Sequence, residues 1–323
     1  MATIKQIRGT TVQNNAGDYT GAVEGQLWYN STDASFQFRS FTTVGSWSTG
    51  GNLNTARLLA GGSGTQTAAL AIGGQAAPST TGITESYNGS AWTEVNDLNT
   101  ARSAIGSTGT QTSSLAFGGE TAATTVANNE SWNGTSWTEL ADLNQPRKYL
   151  EGTGVDNTSA LAISGFNPGT SYLANTETWN GTSWTEVNDV NTARAGSGAA
   201  GTITSSLAFG GQPALAVTES WNGTSWTEVA DLNTARGFVG GAGTDSTSAL
   251  AFGGNVAPGA QTELWNGTSW SEQNDLNIGR TQVAGAGTQT AGLAFGGEIP
   301  PLSNSTEEWT GAGAPVTETI TTS

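Results

Sequence analysis

The chain has 323 residues, a formal net charge of −16, no Cys and no His. Without Cys there is no disulfide, thiolate nucleophile or zinc ribbon, and without His the commonest general base and metal ligand are missing. The acidic balance disfavours a nucleic-acid backbone as partner, and no apolar run approaches the ~20 residues of a membrane span. Low charge and 46 Gly would suit a disordered chain, but 12 Trp would not.

Residues 1–44 stand outside any repeat. The start, Met1 to Arg8, lacks the apolar stretch of a signal peptide, and Thr3 to Gly21 shows no core pattern. Then come Glu24-Gly25-Gln26-Leu27-Trp28-Tyr29-Asn30-Ser31-Thr32-Asp33 and Phe36-Gln37-Phe38-Arg39. This stretch resembles a segment of tail-fibre and other virion structural proteins of bacteriophages, including those of marine cyanobacteria. The resemblance implies a short β-rich attachment or oligomerisation arm that docks on other virion proteins. It also implies a virion location and a homotrimer, although no heptad is visible. Read from the residues alone, 25–44 form an extra hairpin.

From Trp47 onward the chain repeats. An Arg recurs at 57, 102, 147, 194, 236 and 280, with spacings of 45, 45, 47, 42 and 44. In step with it run Trp47, Trp92, Trp137, Trp184, Trp226 and Trp270, and Tyr87, Trp132, Trp179, Trp221, Trp265 and Trp309. A Gly pair closes an apolar run at Gly73-Gly74, Gly118-Gly119, Gly210-Gly211, Gly253-Gly254 and Gly296-Gly297, while the third copy reads Ser164-Gly165. Inside a unit the pattern is four short strands with turn signals and no helical period. For the unit from Arg102 these are Arg102 to Gly109, Ser113 to Phe117, Asn128 to Trp132 and Trp137 to Leu140. Asn133-Gly134 marks the hairpin between the last two, with two-residue and four-residue loops both open. Four strands per roughly 45 residues predict one blade of a β-propeller.

The Gly pair, the two aromatics about five residues apart and the Arg opening each unit resemble kelch repeats, in six registers from Trp47 to Trp309. The expected architecture is therefore all-β: a six-bladed kelch-like propeller over 45–310, an arm over 1–44 and a tail over 311–323. The outer-strand motif appears once too early, at Ser46-Trp47 and Leu53 to Arg57, and is missing after Trp309. Residues 46–54 should therefore pair beside 304–310, while Val316 to Ile320 compete for that edge or add another.

The repeated acids offer no special pair. Glu85, Glu130, Glu177, Glu219, Glu263 and Glu307 precede the first aromatic, and Asp97, Asp142, Asp189, Asp231 and Asp275 follow the second. A glycosidase needs one pair in one environment, so these acids read as partners of the periodic Arg. The Asn-Gly-Ser/Thr sequons at Asn88, Asn133, Asn180, Asn222 and Asn266 read as turns. Kelch-class copper oxidases need His and Cys, which are absent, and no metal, cofactor or catalytic residue is assigned. The expected function is a non-enzymatic virion structural and interaction protein. Its loops Gln75 to Ile83, Thr121 to Asn128, Asn167 to Asn175 and Glu298 to Ser305 would touch a host-surface glycan or protein. A multivalent carbohydrate-binding propeller, with exposed Trp in several blades, is the alternative, and a polysaccharide hydrolase ranks last.

Overall fold

A computed structural model describes residues 12–17, 26–41, 44–300, 302–312 and 315–319. Parts of the expected arm (1–11, 18–25, 42–43) and tail (313–314, 320–323) lie outside them. The chain divides into two compact units: 1–45 with 311–323, and 46–310.

In the larger unit the described residues form six four-stranded antiparallel sheets of one pattern, with no helix. The second sheet runs Gly106–Thr110, Ser113–Phe117, Asn129–Trp132, Trp137–Leu140 in spatial as in chain order. The last sheet takes its fourth strand from the start of the unit. There Ser46–Thr49 pairs antiparallel with Thr306–Thr310, bringing Trp47 opposite Trp309. The pairing expected between 46–54 and 304–310 is thus present. The first strands, Gly61–Thr65, Gly106–Thr110, Glu151–Asp156, Gly198–Thr202, Gly240–Asp245 and Ala284–Gly287, neighbour one another in a closed cycle.

Composition follows position in the sheet. A Cβ on Gly285 would lie 2.3 Å from the Gly241 carbonyl oxygen, and one on Gly241 would lie 2.6 Å from that of Ala199. Backbones meeting around an axis leave no room for side chains. Second strands such as Ser113–Phe117 are apolar and wholly enclosed from their second residue on, because sheets cover both faces. Fourth strands bury their Trp and expose the Thr and Glu that follow. Trp132 and Trp137 face each other at 5.3 Å and pack with Leu70 and Ile72 of the preceding sheet.

The turn between third and fourth strands is a four-residue loop, since Trp132 pairs directly with Trp137. The Asn133 side-chain oxygen accepts from the backbone N–H groups of Thr135 and Ser136, each at 2.9 Å. Gly134 supplies the positive φ, at +90°, and Asn133 does not share it. The motif is an Asx turn followed by Gly, which accounts for all five sequons at once.

The smaller unit holds a four-stranded mixed sheet in the order Gln13–Asn15, Leu27–Asn30, Ser35–Phe41, Pro315–Thr319. The tail strand thus extends the arm sheet. Trp28 is fully buried, and the Asn30 side-chain oxygen collects the backbone N–H groups of Gly17, Thr32 and Asp33. The Leu-Trp-Tyr-Asn-Ser-Thr-Asp stretch is therefore one strand and the turn that ends it.

Candidate functional site

Each repeated sheet encloses one Glu of its third strand against the Arg that opens its first. Arg57–Glu85 lie 3.1 Å apart, Arg102–Glu130 and Arg194–Glu219 3.0 Å, and Arg280–Glu307 3.1 Å. Arg147–Glu177 and Arg236–Glu263 complete the set. The second carboxylate oxygen is also taken. Glu130 accepts the Asn99 backbone N–H at 2.7 Å and its side-chain amide at 2.9 Å, and Asn54, Asn144, Asn191, Asn233 and Asn277 repeat the arrangement. Arg102 also donates to the carbonyls of Gly118 and Asn128. Burial pulls the Arg280 guanidinium down to about 10, against the upward pull of Glu307. Asp97, Asp189 and Asp231 accept backbone N–H groups of Thr84, Thr176 and Thr218 on the third strands. The Glu read from the sequence as partners of the Arg are those partners, and through the Asn contacts they tie each sheet to the connection that enters it, whereas none of the five Asp forms an ion pair with an Arg among the described residues. Among the described residues no group of three or more acids could hold a metal ion.

The repeated aromatics are equally committed. All twelve Trp are buried. The fourth-strand indoles of Trp47, Trp92, Trp137, Trp226 and Trp270 each donate to a Thr hydroxyl of the neighbouring sheet at 2.9–3.2 Å. A sugar finds no exposed Trp face on which to stack.

What differs between repeats gathers elsewhere. The loop between second and third strands lies beside the residue after the Arg, as the bridges Leu58–Gln75, Ser103–Glu120, Lys148–Phe166 and Thr281–Glu298 show. These loops and the openings of the first strands therefore share one face. Of the four loops proposed from the sequence, Thr121 to Asn128 and Asn167 to Asn175 line one groove of about 550 Å³ with Glu120, Pro146 and Lys148. Lys148 donates to Glu120 and sits 5.1 Å from the Tyr149 ring centre. Gln75 to Ile83 and Glu298 to Ser305 do not line that groove. The third loop also differs from expectation. Ser159–Asn167 and Ser171–Trp179 are nine-residue strands, so Asn167 to Asn175 is the tip of a hairpin and its second arm. A register shift at Ser164 lets the pair run on where the other copies break.

The same face carries a feature that motif reading misses. The second residue after each Arg has a left-handed backbone: Leu59, Ala104, Tyr149, Gly196, Phe238 and Gln282, with φ of 54–59°. Five backbone hydrogen bonds join them head to tail around the axis: Ala104 N–H to Leu59 O, Tyr149 to Ala104, Gly196 to Tyr149, Phe238 to Gly196 and Leu59 to Gln282. Left-handed residues other than Gly are strained, and such strain marks sites where position outweighs cost. The side chains share no chemistry, although the backbone is the same at all six. Tyr149 and Phe238 meet edge to face at 5.4 Å, across the space that the missing side chain of Gly196 leaves. Behind this ring lies an axial compartment of about 60 Å³, lined also by Glu151 and Ser197. In the column Gly61, Gly106, Glu151, Gly198, Gly240, Ala284, one acid stands among Gly and Ala, and that was the available signal.

No family model matches the chain, and no curated protein matches it in sequence. Solved structures do match in shape. One, titled "Structure of YjhT", aligns with a TM-score of 0.66 at 13% identity, over 80% of this chain and 96% of that one. With the repeated four-stranded sheets, this likeness makes the larger unit a β-propeller.

Proposed function

We propose that the chain is a non-enzymatic structural and interaction protein of a bacteriophage particle, a six-bladed kelch-like propeller docked through residues 1–44. Six sheets whose first strands close a cycle support the blade number. The kelch character is supported by the Gly pair, of which Gly118 and Gly119 both take positive φ, and by the recurring Arg and Trp.

One observation carries the interaction reading. The periodic carboxylates and indoles are consumed inside the scaffold, while the residues that differ between repeats collect on one face, in the groove and at the axial mouth. A rigid scaffold with variable loops is how binding surfaces are built. The virion assignment rests on the Gly25 to Asp33 resemblance. The lectin reading draws less support, because its repeated aromatic platform is buried.

Light scattering tests the arm. The full chain should be a trimer, and residues 46–310, which keep the closing strand Ser46–Thr49, a monomer. A monomeric full chain that binds no component of a phage particle overturns the reading, as does hydrolysis of a polysaccharide by the purified protein.

A further inference from the structure

Six buried glutamates face an arginine, and Glu151 faces none. It lines the compartment behind the axial ring and the next one inward, of about 100 Å³. Among the described residues, the only other titratable group lining either space is Tyr149, and no Lys or Arg lines them. Burial alone pushes the Glu151 carboxyl well above the usual range. Glu151 is half-buried, and without a counter-charge its carboxyl holds its proton; a cation brought to it would favour the ionised form.

A second group points to the same ligand. Ser197 is wholly buried, lines the outer compartment, and its hydroxyl has no hydrogen-bond partner. In the other repeats its position holds Ala60, Ile105, Leu150, Val239 and Val283. The lining thus offers a carboxylate, a hydroxyl oxygen and two aromatic rings, together with Gln282 and apolar side chains. About 60 Å³ is far below the ~300–1,000 Å³ of a drug-sized site, so the occupant is a compact head group. An ammonium has three donors and no acceptor, and it is stabilised beside aromatic faces. A guanidinium is a broader, planar group that fits a carboxylate fork but suits a space of about 60 Å³ less well than a compact ammonium.

We propose that the axial opening receives a primary ammonium group, carried by a lysine side chain or a small free alkylamine. Glu151 is its counter-ion, Ser197 Oγ its second acceptor, and Tyr149 and Phe238 flank its entry. The proposal is independent of the virion reading, since it concerns only residues 59–283 of the propeller.

Calorimetry on the full chain tests it with methylammonium chloride, Nα-acetyl-lysine methylamide, its Nε-acetylated form and Nα-acetyl-arginine methylamide. At least one of the first two should bind, and Nε-acetylation should weaken the lysine derivative at least tenfold. Tighter binding of the lysine derivative identifies a side chain as the source, and tighter binding of methylammonium a free amine. Glu151→Gln should weaken binding at least tenfold without lowering the melting temperature, and Ser197→Ala should weaken it less. Glu151→Gly, which restores the residue of four other repeats, is a second variant known to suit the fold. Absence of binding by both amines at millimolar concentration, equal binding by the arginine derivative, or unchanged affinity in both Glu151 variants would overturn the proposal.

Discussion

Glu177 and Glu151 belong to the same sheet, one on its third strand and one on its first. Glu177 meets Arg147 and takes both donors of Asn144. Glu151 has no charged partner and opens onto the axis. The difference separates two uses of an acid inside the propeller. The first recurs in every repeat and ties a sheet to the connection that enters it. The second occurs once, where neighbours have Gly or Ala, and nothing in the scaffold asks for it. Chemistry that recurs six times is architecture, and chemistry that breaks the recurrence is where a ligand would be read.

The comparison can be broken most forcefully from the architectural side. Arg236→Met removes the partner of Glu263 and leaves that carboxylate enclosed with its Asn233 donors. The expected cost is about 3–5 kcal/mol, read as a lowered urea midpoint. A cost below about 1 kcal/mol, the size of an exposed pair, would show that these pairs are not holding the sheets.

A pH titration probes the one repeat whose first aromatic is Tyr. Tyr87 donates to Glu308, and burial followed by that contact raises its pKa to about 12. Because the folded value exceeds the unfolded one near 10, the stability it contributes is complete below pH 10 and lost as pH rises towards 12. In absorbance titration its ionisation should appear near pH 12 and vanish in Tyr87→Phe.

Glu151→Gln sharpens the contrast from the other side. A raised folded pKa means the protonated acid is tolerated and the ionised one is not. The stability tied to that proton is present at pH 4 and lost as pH rises. The variant should therefore be more stable than the parent at pH 7 and no more stable at pH 4, read from paired denaturation curves. A loss at pH 7 would mean that Glu151 has a partner in the fold.

The scaffold was legible because repetition multiplies weak signals. Six registers of Arg, Gly pair and Trp placed the strands, and the early Ser46-Trp47 motif placed the closing strand. Other features were hidden for physical reasons. The two-residue and four-residue turns at Asn133-Gly134 differ in register and in the Asn133 backbone, and the longer one is held by the Asn side chain accepting backbone N–H groups, which spacing does not reveal. Ser164 in place of Gly signalled a departure, but not that the two strands would run on as a long hairpin. Glu151 escaped because a search for recurrence passes over the residue that occurs once.

The smallest effect also comes from a break in the repeat. Five fourth-strand indoles donate to a Thr of the third strand of the neighbouring sheet. The sixth, Trp184, has no partner for its indole N–H, and the corresponding position holds Asn129 in place of Thr. The Asn129 side-chain oxygen is buried and unpartnered too, while its amide donates to the Ala141 carbonyl. The amide is thus aimed at Ala141 at the expense of the indole. Asn129→Thr should restore the bond that Trp137 makes with Thr84 at 3.2 Å. It also removes a buried orphan acceptor, so stability should rise by about 1 kcal/mol. A neutral or destabilised variant would show that the Ala141 contact outweighs the indole bond, and that this repeat departs from its neighbours for a local reason.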